Sequence, residues 1–260
     1  MNPKKIVFFD LDGTLCPNYN MRVSGKLLSL FPRFKDEGIL PIVATGRSLY
    51  EVKTLLTQLH VDSYILANGC YVVYQGKVLH NHSMPKNLIH SVKKFAARQQ
   101  RNVGFFNQFG YAVTGINELT HQHVQSMHLD QIPVDPLFYE KQAINFLNIY
   151  LPAPEETIYK KVFKNRVTIC RYAPLAVDVM PANVSKAQAI EELLSAENLS
   201  NIPTYAFGDQ NNDLTMFNQV DYGIAMQQAT IELKRRASYV AKSDQGVLEG
   251  IEHYQLLPLG

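Results

Sequence analysis

A doubly wound α/β core carrying an inserted α+β unit is the fold this sequence predicts, from three observations. Short apolar runs recur in both end regions, amphipathic segments of helical length alternate with them, and a middle stretch over 83–183 breaks that alternation. Ile6-Val7-Phe8-Phe9 is a continuous apolar run, the pattern of a strand buried on both faces of a parallel, helix-covered sheet. Similar runs follow at 41–44, 64–67, 205–207 and 222–225. The helical segments lie at 26–37, 50–59, 187–195 and 231–237, and strand–helix alternation of this kind builds a Rossmann-like sheet. Residues 71–74 and 78–82 read as a hairpin turning at Gly76. Strand-like pieces at 103–107, 111–114, 144–150, 167–171 and 176–180, mixed with helical ones, make 83–183 a separate α+β insertion. The expected division is a core of 1–82 and 184–260 with 83–183 inserted.

Composition narrows the function classes. With 260 residues, 46% hydrophobic and 18% charged, the chain buries a large core and is neither disordered nor fibrous. Its 25 Lys and Arg against 23 Asp and Glu give a net charge of +2, too balanced to announce a nucleic-acid or membrane partner. Residues 83–183 carry a net +4 and the remainder −2, which fits either a basic lid over an acidic site or ordinary surface charge. Cys16, Cys70 and Cys170 lack the paired spacing of zinc or redox motifs and read as reduced thiols. The apolar run after Lys4-Lys5 is too short for a signal peptide, and no run approaches a membrane span. A soluble, cytoplasmic protein acting on a small molecule is expected.

The decisive segment is Asp10-Leu11-Asp12-Gly13-Thr14, directly after the first buried run. Ligands of open α/β sheets bind beyond the carboxyl ends of the strands, where these acids fall. On an extended chain, carboxylates two residues apart point the same way, and such close like charges call for a cation or a proton. The spacing does not fit a calcium loop, because Leu15 and Met21 stand at its sixth and twelfth positions. Thr45-Gly46-Arg47 ends another strand and offers a hydroxyl and accessible backbone N–H groups to phosphate oxygens. Lys186 opens a helix behind Ser185 as N-cap, where its charge opposes the helix dipole. Gly208-Asp209-Gln210-Asn211-Asn212-Asp213 ends a fourth strand with hard oxygen donors of the kind Mg²⁺ prefers.

In this order, these four segments resemble the haloacid dehalogenase-like phosphatases, and more closely their Cof-type branch, over the whole chain. Asn68-Gly69, the 223–226 segment and the 244–247 segment resemble further landmarks of that family. The resemblance implies a Mg²⁺-dependent phosphatase acting on a small phosphorylated metabolite, a sugar phosphate first among them. It implies Asp10 as the nucleophile that forms an aspartyl-phosphate and Asp12 as the general acid and base. Mg²⁺ would be held by Asp10, the backbone carbonyl of Asp12, Asp209 and Asp213, while Thr45, Gly46, Lys186 and Asn212 hold the phosphoryl oxygens. The insertion is similar to that branch's cap domain and would set specificity. Arg47 stays outside the core set because its role varies. The chain departs from the branch at Asn183, Ala187 and Gln227-Gln228, none of them a catalytic position. A phosphomutase or phosphotransferase using the same intermediate and a non-catalytic phosphometabolite-binding regulator are the competing readings.

Weaker signals resolve to packing. His80 and His82, and His121, His123 and His128, invite a zinc reading, but no carboxylate completes a set, so they are expected to be polar surface. Cys16 and the aromatic residues of the insertion are expected to fill cores. The chain has no Walker loop, dinucleotide-binding glycine fingerprint or Gly-x-Ser-x-Gly elbow, which removes the kinase, dehydrogenase and α/β-hydrolase readings.

Overall fold

The structure is a computed structural model and describes residues 3–18, 20–127 and 131–258. Two compact units result, one comprising Met1–Arg47, Glu51–His80 and Ser185–Gly260, the other Ser48–Tyr50 and Asn81–Val184.

The first unit is built on β1 (Lys5–Phe9), β2 (Ile39–Ala44), β3 (Tyr64–Leu66), β4 (Tyr71–Tyr74) and β5 (Lys77–Asn81), of which Asn81 already belongs to the second unit. Its later strands, numbered after those of the second unit, are β11 (Thr204–Gly208), β12 (Tyr222–Ala225) and β13 (Tyr239–Val240). They form one sheet in the order β13-β12-β11-β1-β2-β3-β4-β5. From β13 to β3 every pairing is parallel, and β4 then runs antiparallel to β3. Helices α1 (Gly25–Asp36), α2 (Leu49–Gln58, of which Leu49 and Tyr50 belong to the second unit), α7 (Lys186–Ala196), α8 (Asp213–Phe217), α9 (Ile231–Arg236) and α10 (Gly246–His253) accompany it.

The continuous apolar run of β1 follows from burial on both faces. Ile6 and Phe8 join Ile190 and Leu193 of α7, Met216 of α8 and Leu233 of α9 in one core cluster. Phe9 points the other way, with ring centroids 5.0 Å from Phe31 and 5.6 Å from Phe34 of α1 and 5.0 Å from Phe207. Because β1 lies between β2 and β11, the chain reverses its winding there, and the crevice at the carboxyl end of β1 is the place where such sheets bind ligands. Gln75 and Gly76 both take positive φ between β4 and β5, as a tight hairpin turn requires.

The second unit is an antiparallel sheet in the order β7-β6-β8-β10-β9. Its strands are β6 (Val103–Asn107), β7 (Gly110–Val113), β8 (Phe146–Tyr150), β9 (Val167–Ala173) and β10 (Ala176–Pro181). Alternation sends Phe105, Leu147, Ile149, Val177 and Val179 into a core with residues of α3 (Lys86–Arg98), α5 (Phe138–Lys141) and α6 (Glu156–Val162). The other face carries the stacked rings of Tyr111, Phe106 and Phe146, together with Asn148 and Asp178. There His123 of α4 (Glu118–Ser126) contacts Tyr172 OH through Nε2 at 2.8 Å, Tyr172 donates to Asn148 Oδ1 (3.0 Å), and Asn148 donates to Asp178 Oδ1 (2.7 Å).

Two expectations are corrected. His123 is not surface: it is 3% exposed, and burial pushes its imidazole down to about 4. His80 does have a carboxylate beside it, because Glu192 of α7 approaches to 3.6 Å, a partner invisible to sequence spacing. His121 is exposed as expected, and His128 lies outside the described residues. Cys16 is fully buried, as packing requires, and burial and the Asp12 carboxylate push its thiol up to about 12. Among the described residues no helix is long and apolar enough to cross a membrane.

Candidate active site

Asp10 follows β1, Thr45 follows β2, and Asp209 follows β11, so pairing of β1 with both neighbours brings three sequence-distant strand ends to one level. Lys186 arrives from α7. Ser185 caps that helix by accepting from the Gln188 N–H at 3.2 Å, which fixes where Lys186 leaves the backbone. Gly69 lets the 67–69 turn approach that cap, since a Cβ at Gly69 would stand 2.4 Å from the Ser185 carbonyl oxygen.

The side chains converge on Lys186, which is 1% exposed. Its Nζ lies 2.6 Å from Asp10 Oδ1 and 2.7 Å from Asp213 Oδ1. The second oxygen of Asp213 accepts from the backbone N–H groups of Asp209 (3.0 Å) and Gln210 (3.1 Å), closing the loop after β11 around it. Asp209 accepts from Thr14 Oγ1 (3.3 Å) and Gln210 Nε2 (3.0 Å). Carboxylate oxygens of Asp10, Asp209 and Asp213, all buried, lie within 4.8 Å of one another. Gly13 makes this approach possible: its φ is +83°, and a Cβ there would stand 2.1 Å from Asp209 Oδ2.

Three carboxylates against one ammonium leave two negative charges in a buried space. Burial, then Asp213, pushes the Asp10 carboxyl well above the usual carboxylate range, with Asp209 adding to this and Lys186 opposing it. Burial works to lower Lys186, and Asp10 and Asp213 outweigh it, so the ammonium keeps its proton more firmly than an ordinary lysine. The unbalanced charge therefore rests on the carboxylates. Closely spaced hard oxygen donors with two negative charges in excess fit a divalent cation such as Mg²⁺.

Asp12 does not join this cluster. The chain turns at Leu11 rather than staying extended, and the Asp12 carboxylate accepts two bonds from Arg47, Nε at 2.7 Å and Nη2 at 2.8 Å. Arg47 also reaches Glu51 at 3.3 Å. This fork is the site contact that sequence reading left out, and the signal for it was the Thr45-Gly46-Arg47 motif itself. Thr45 is buried, with its hydroxyl accepting from the Arg47 N–H (3.2 Å) and its carbonyl from the Asn68 N–H (3.1 Å). A Cβ at Gly46 would meet the Asn68 amide at 3.1 Å. Asn212 is half-buried at the start of α8, and its side chain makes no capping bond there. Gln228, one of the sequence departures, donates its side-chain amide to the Gly13 carbonyl and ties the loop after β12 to the acidic turn.

A family model described as haloacid dehalogenase-like hydrolase matches residues 7–254. The chain belongs to that family. Within the family, a Bacillus subtilis (strain 168) relative named "Putative phosphatase YkrA" is 30% identical, the alignment covering 97% of this chain and 98% of the relative. The "HMP-PP phosphatase" of Enterobacter sp. (strain 638) is 27% identical over 96% of this chain and 94% of its own. Among solved structures, the "HAD Subclass IIB Sugar Phosphatase BT4131" shares the fold with a TM-score of 0.85, at 23% identity over 97% of this chain and 100% of that one. Membership in this hydrolase family, with phosphatase-named relatives along the full length, makes the chain an enzyme of the phosphatase class.

Proposed function

We propose that the chain is a Mg²⁺-dependent phosphomonoesterase working through an aspartyl-phosphate on Asp10. The observation that carries this reading is the buried triad of Asp10, Asp209 and Asp213 with Lys186 as its single ammonium. Asp10 attacks phosphorus in line, the bond to the leaving oxygen breaks, and Asp12 gives that oxygen a proton. Asp12 then takes a proton from the water that attacks the aspartyl-phosphate, releasing phosphate and restoring Asp10. In the structure Arg47 holds the Asp12 carboxyl by one bond to each of its oxygens, which orients the group that this reading makes the acid and base. Lys186 uses two of its three N–H donors on Asp10 and Asp213 and has one for a phosphoryl oxygen, beside Thr45, Gly46 and Asn212.

The ion would be held by the carboxylates of Asp10, Asp209 and Asp213 and the backbone carbonyl of Asp12. When bound, it offsets the repulsion between nucleophile and phosphate and stabilises the transferring charge. Residues 83–183 are read as the cap, whose side chains select the leaving group, and the protein as cytoplasmic. A small phosphorylated metabolite is the substrate class, with a sugar phosphate first among candidates; the substrate named for the Enterobacter relative supports the class.

The test is phosphate release from sugar phosphates, nucleotides and pyridoxal phosphate, with Mg²⁺ or with EDTA. Release should require Mg²⁺ and fall by about 10³-fold or more in Asp10→Asn. Turnover undiminished in that variant overturns the nucleophile assignment. Phosphate transfer that occurs only with a second hydroxyl compound present would instead make the chain a phosphotransferase.

A further inference from the structure

The backbone of Arg47 is fixed before its side chain is. Its N–H donates to Thr45 Oγ1 (3.2 Å) and its carbonyl accepts from the Ala67 N–H (2.9 Å). The guanidinium edge that carries Nε and Nη2 then meets Asp12, and Nη1 donates to Glu51 Oε1 at 3.3 Å. The side chains of Arg47 and Glu51 are 9% and 8% exposed, against 24% for Asp12. Glu51 stands four residues beyond Arg47 in the first turn of α2, and the buried Val52, Leu55 and Leu56 anchor that helix. This glutamate lies outside the Thr45-Gly46-Arg47 motif.

The placement suits a fixed anion. The N-terminal end of a helix favours negative charge, and a carboxylate on a guanidinium makes a charge-assisted bond roughly twice as strong as a neutral one. An arginine has a long, flexible stem, so a guanidinium held along one edge alone can pivot and carry its partner with it. Held at Nη1 as well, the planar group keeps one orientation, and so does the Asp12 carboxyl that receives its other edge. Proton transfer to a leaving oxygen depends on such placement, because a displacement of about 1 Å at a reacting group costs on the order of 10²-fold in rate.

We infer that Glu51 is a positioning residue: through Arg47 it holds Asp12 in the orientation that delivers a proton to the leaving oxygen. The inference rests on the acid role given to Asp12 above. A glutamate that served only to stabilise the start of α2 would show no preference among substrates, whereas one that works through the acid matters most where the leaving oxygen needs a proton.

The test compares two leaving groups on each enzyme preparation. A sugar phosphate releases an alkoxide that requires a proton, whereas p-nitrophenyl phosphate releases a stabilised phenolate that does not. With Mg²⁺ present, kcat/KM for each ester covers the steps up to departure of the leaving group, and the ratio of the two values cancels any difference in the fraction of folded enzyme. In Glu51→Ala, kcat/KM for the sugar phosphate that is hydrolysed fastest should fall about tenfold, and that for p-nitrophenyl phosphate less than about twofold. Glu51→Gln keeps an acceptor oxygen for Nη1 and should recover most of the loss. Asp12→Asn is the control, and should show the same preference with a loss of about 10²-fold or more on the sugar phosphate. Equal losses on both esters in Asp12→Asn remove the acid role itself. A selective loss in Asp12→Asn, with equal losses or none in Glu51→Ala, overturns the inference and leaves that role standing.

Discussion

Each unit buries a polar network, and the two networks are built on opposite terms. In the first, three carboxylates crowd around one ammonium, so charge is left over and Asp10 is pushed toward its protonated form. In the second, His123, Tyr172, Asn148 and Asp178 pass hydrogen bonds along a line in which Tyr172 donates onward and therefore accepts from the neutral His123 ring. Charge in excess is costly to bury and useful for chemistry, whereas a line of single hydrogen bonds running from His123 to Asp178 mainly holds strands and a helix in register. The difference teaches which buried polar residues to suspect of catalysis: those whose neighbours leave them unbalanced.

The largest break of that contrast is Lys186→Met. Removing the ammonium leaves the carboxylates facing one another, and unfolding of the chelated protein should show a loss of about 3–5 kcal/mol. Added Mg²⁺ should restore part of that loss; a loss under about 1 kcal/mol would mean that the cluster is not charged as described.

An intermediate effect sharpens the other side. The folded His123 titrates near 4 against an ordinary 6.5, so between these values the unfolded chain binds the extra proton. Stability from this residue is therefore complete above pH 6.5 and declines as pH falls toward 4, by about 3 kcal/mol in full. Denaturant melts across that window should show the slope, and His123→Gln should flatten it. A slope unchanged in the variant assigns the acid sensitivity to other groups.

The smallest effect concerns Gln228. Gln228→Ala removes its bond to the Gly13 carbonyl and should cost roughly 1 kcal/mol with a modest fall in kcat. An unchanged kcat would show that Gly13 and its approach to Asp209 hold the acidic turn unaided.

What the sequence made legible were features governed by local rules. The run at 6–9 announced a two-face-buried strand, Ser185 announced the helix start that delivers Lys186, and Gly76 announced a hairpin. Asn183 adopts φ +64°, the left-handed geometry an asparagine tolerates. What it hid were contacts across distance. The Arg47–Asp12 fork depends on the pairing of β1 with β2, and Glu192 reaches His80 only because α7 packs beside β4. The burial of His123 was readable in principle, since Thr120, His123 and Val124 are spaced as one buried face of a helix. The extended-chain picture of Asp10 and Asp12 failed because the backbone turns at Leu11 and sends the two carboxylates to different cations.

The place of β1 between β2 and β11 also bears on how the protein is made. The partner on one side leaves the ribosome soon after β1, while Phe207, which pairs with Phe9, follows about 200 residues later. At typical elongation rates of roughly 5–20 residues per second, the strand that ends at Asp10 waits about 10–40 s with an open edge. During biosynthesis, then, the edge beside Asp10 is among the last parts of the first sheet to be sealed, and an apolar strand edge left open that long is a natural client for a chaperone.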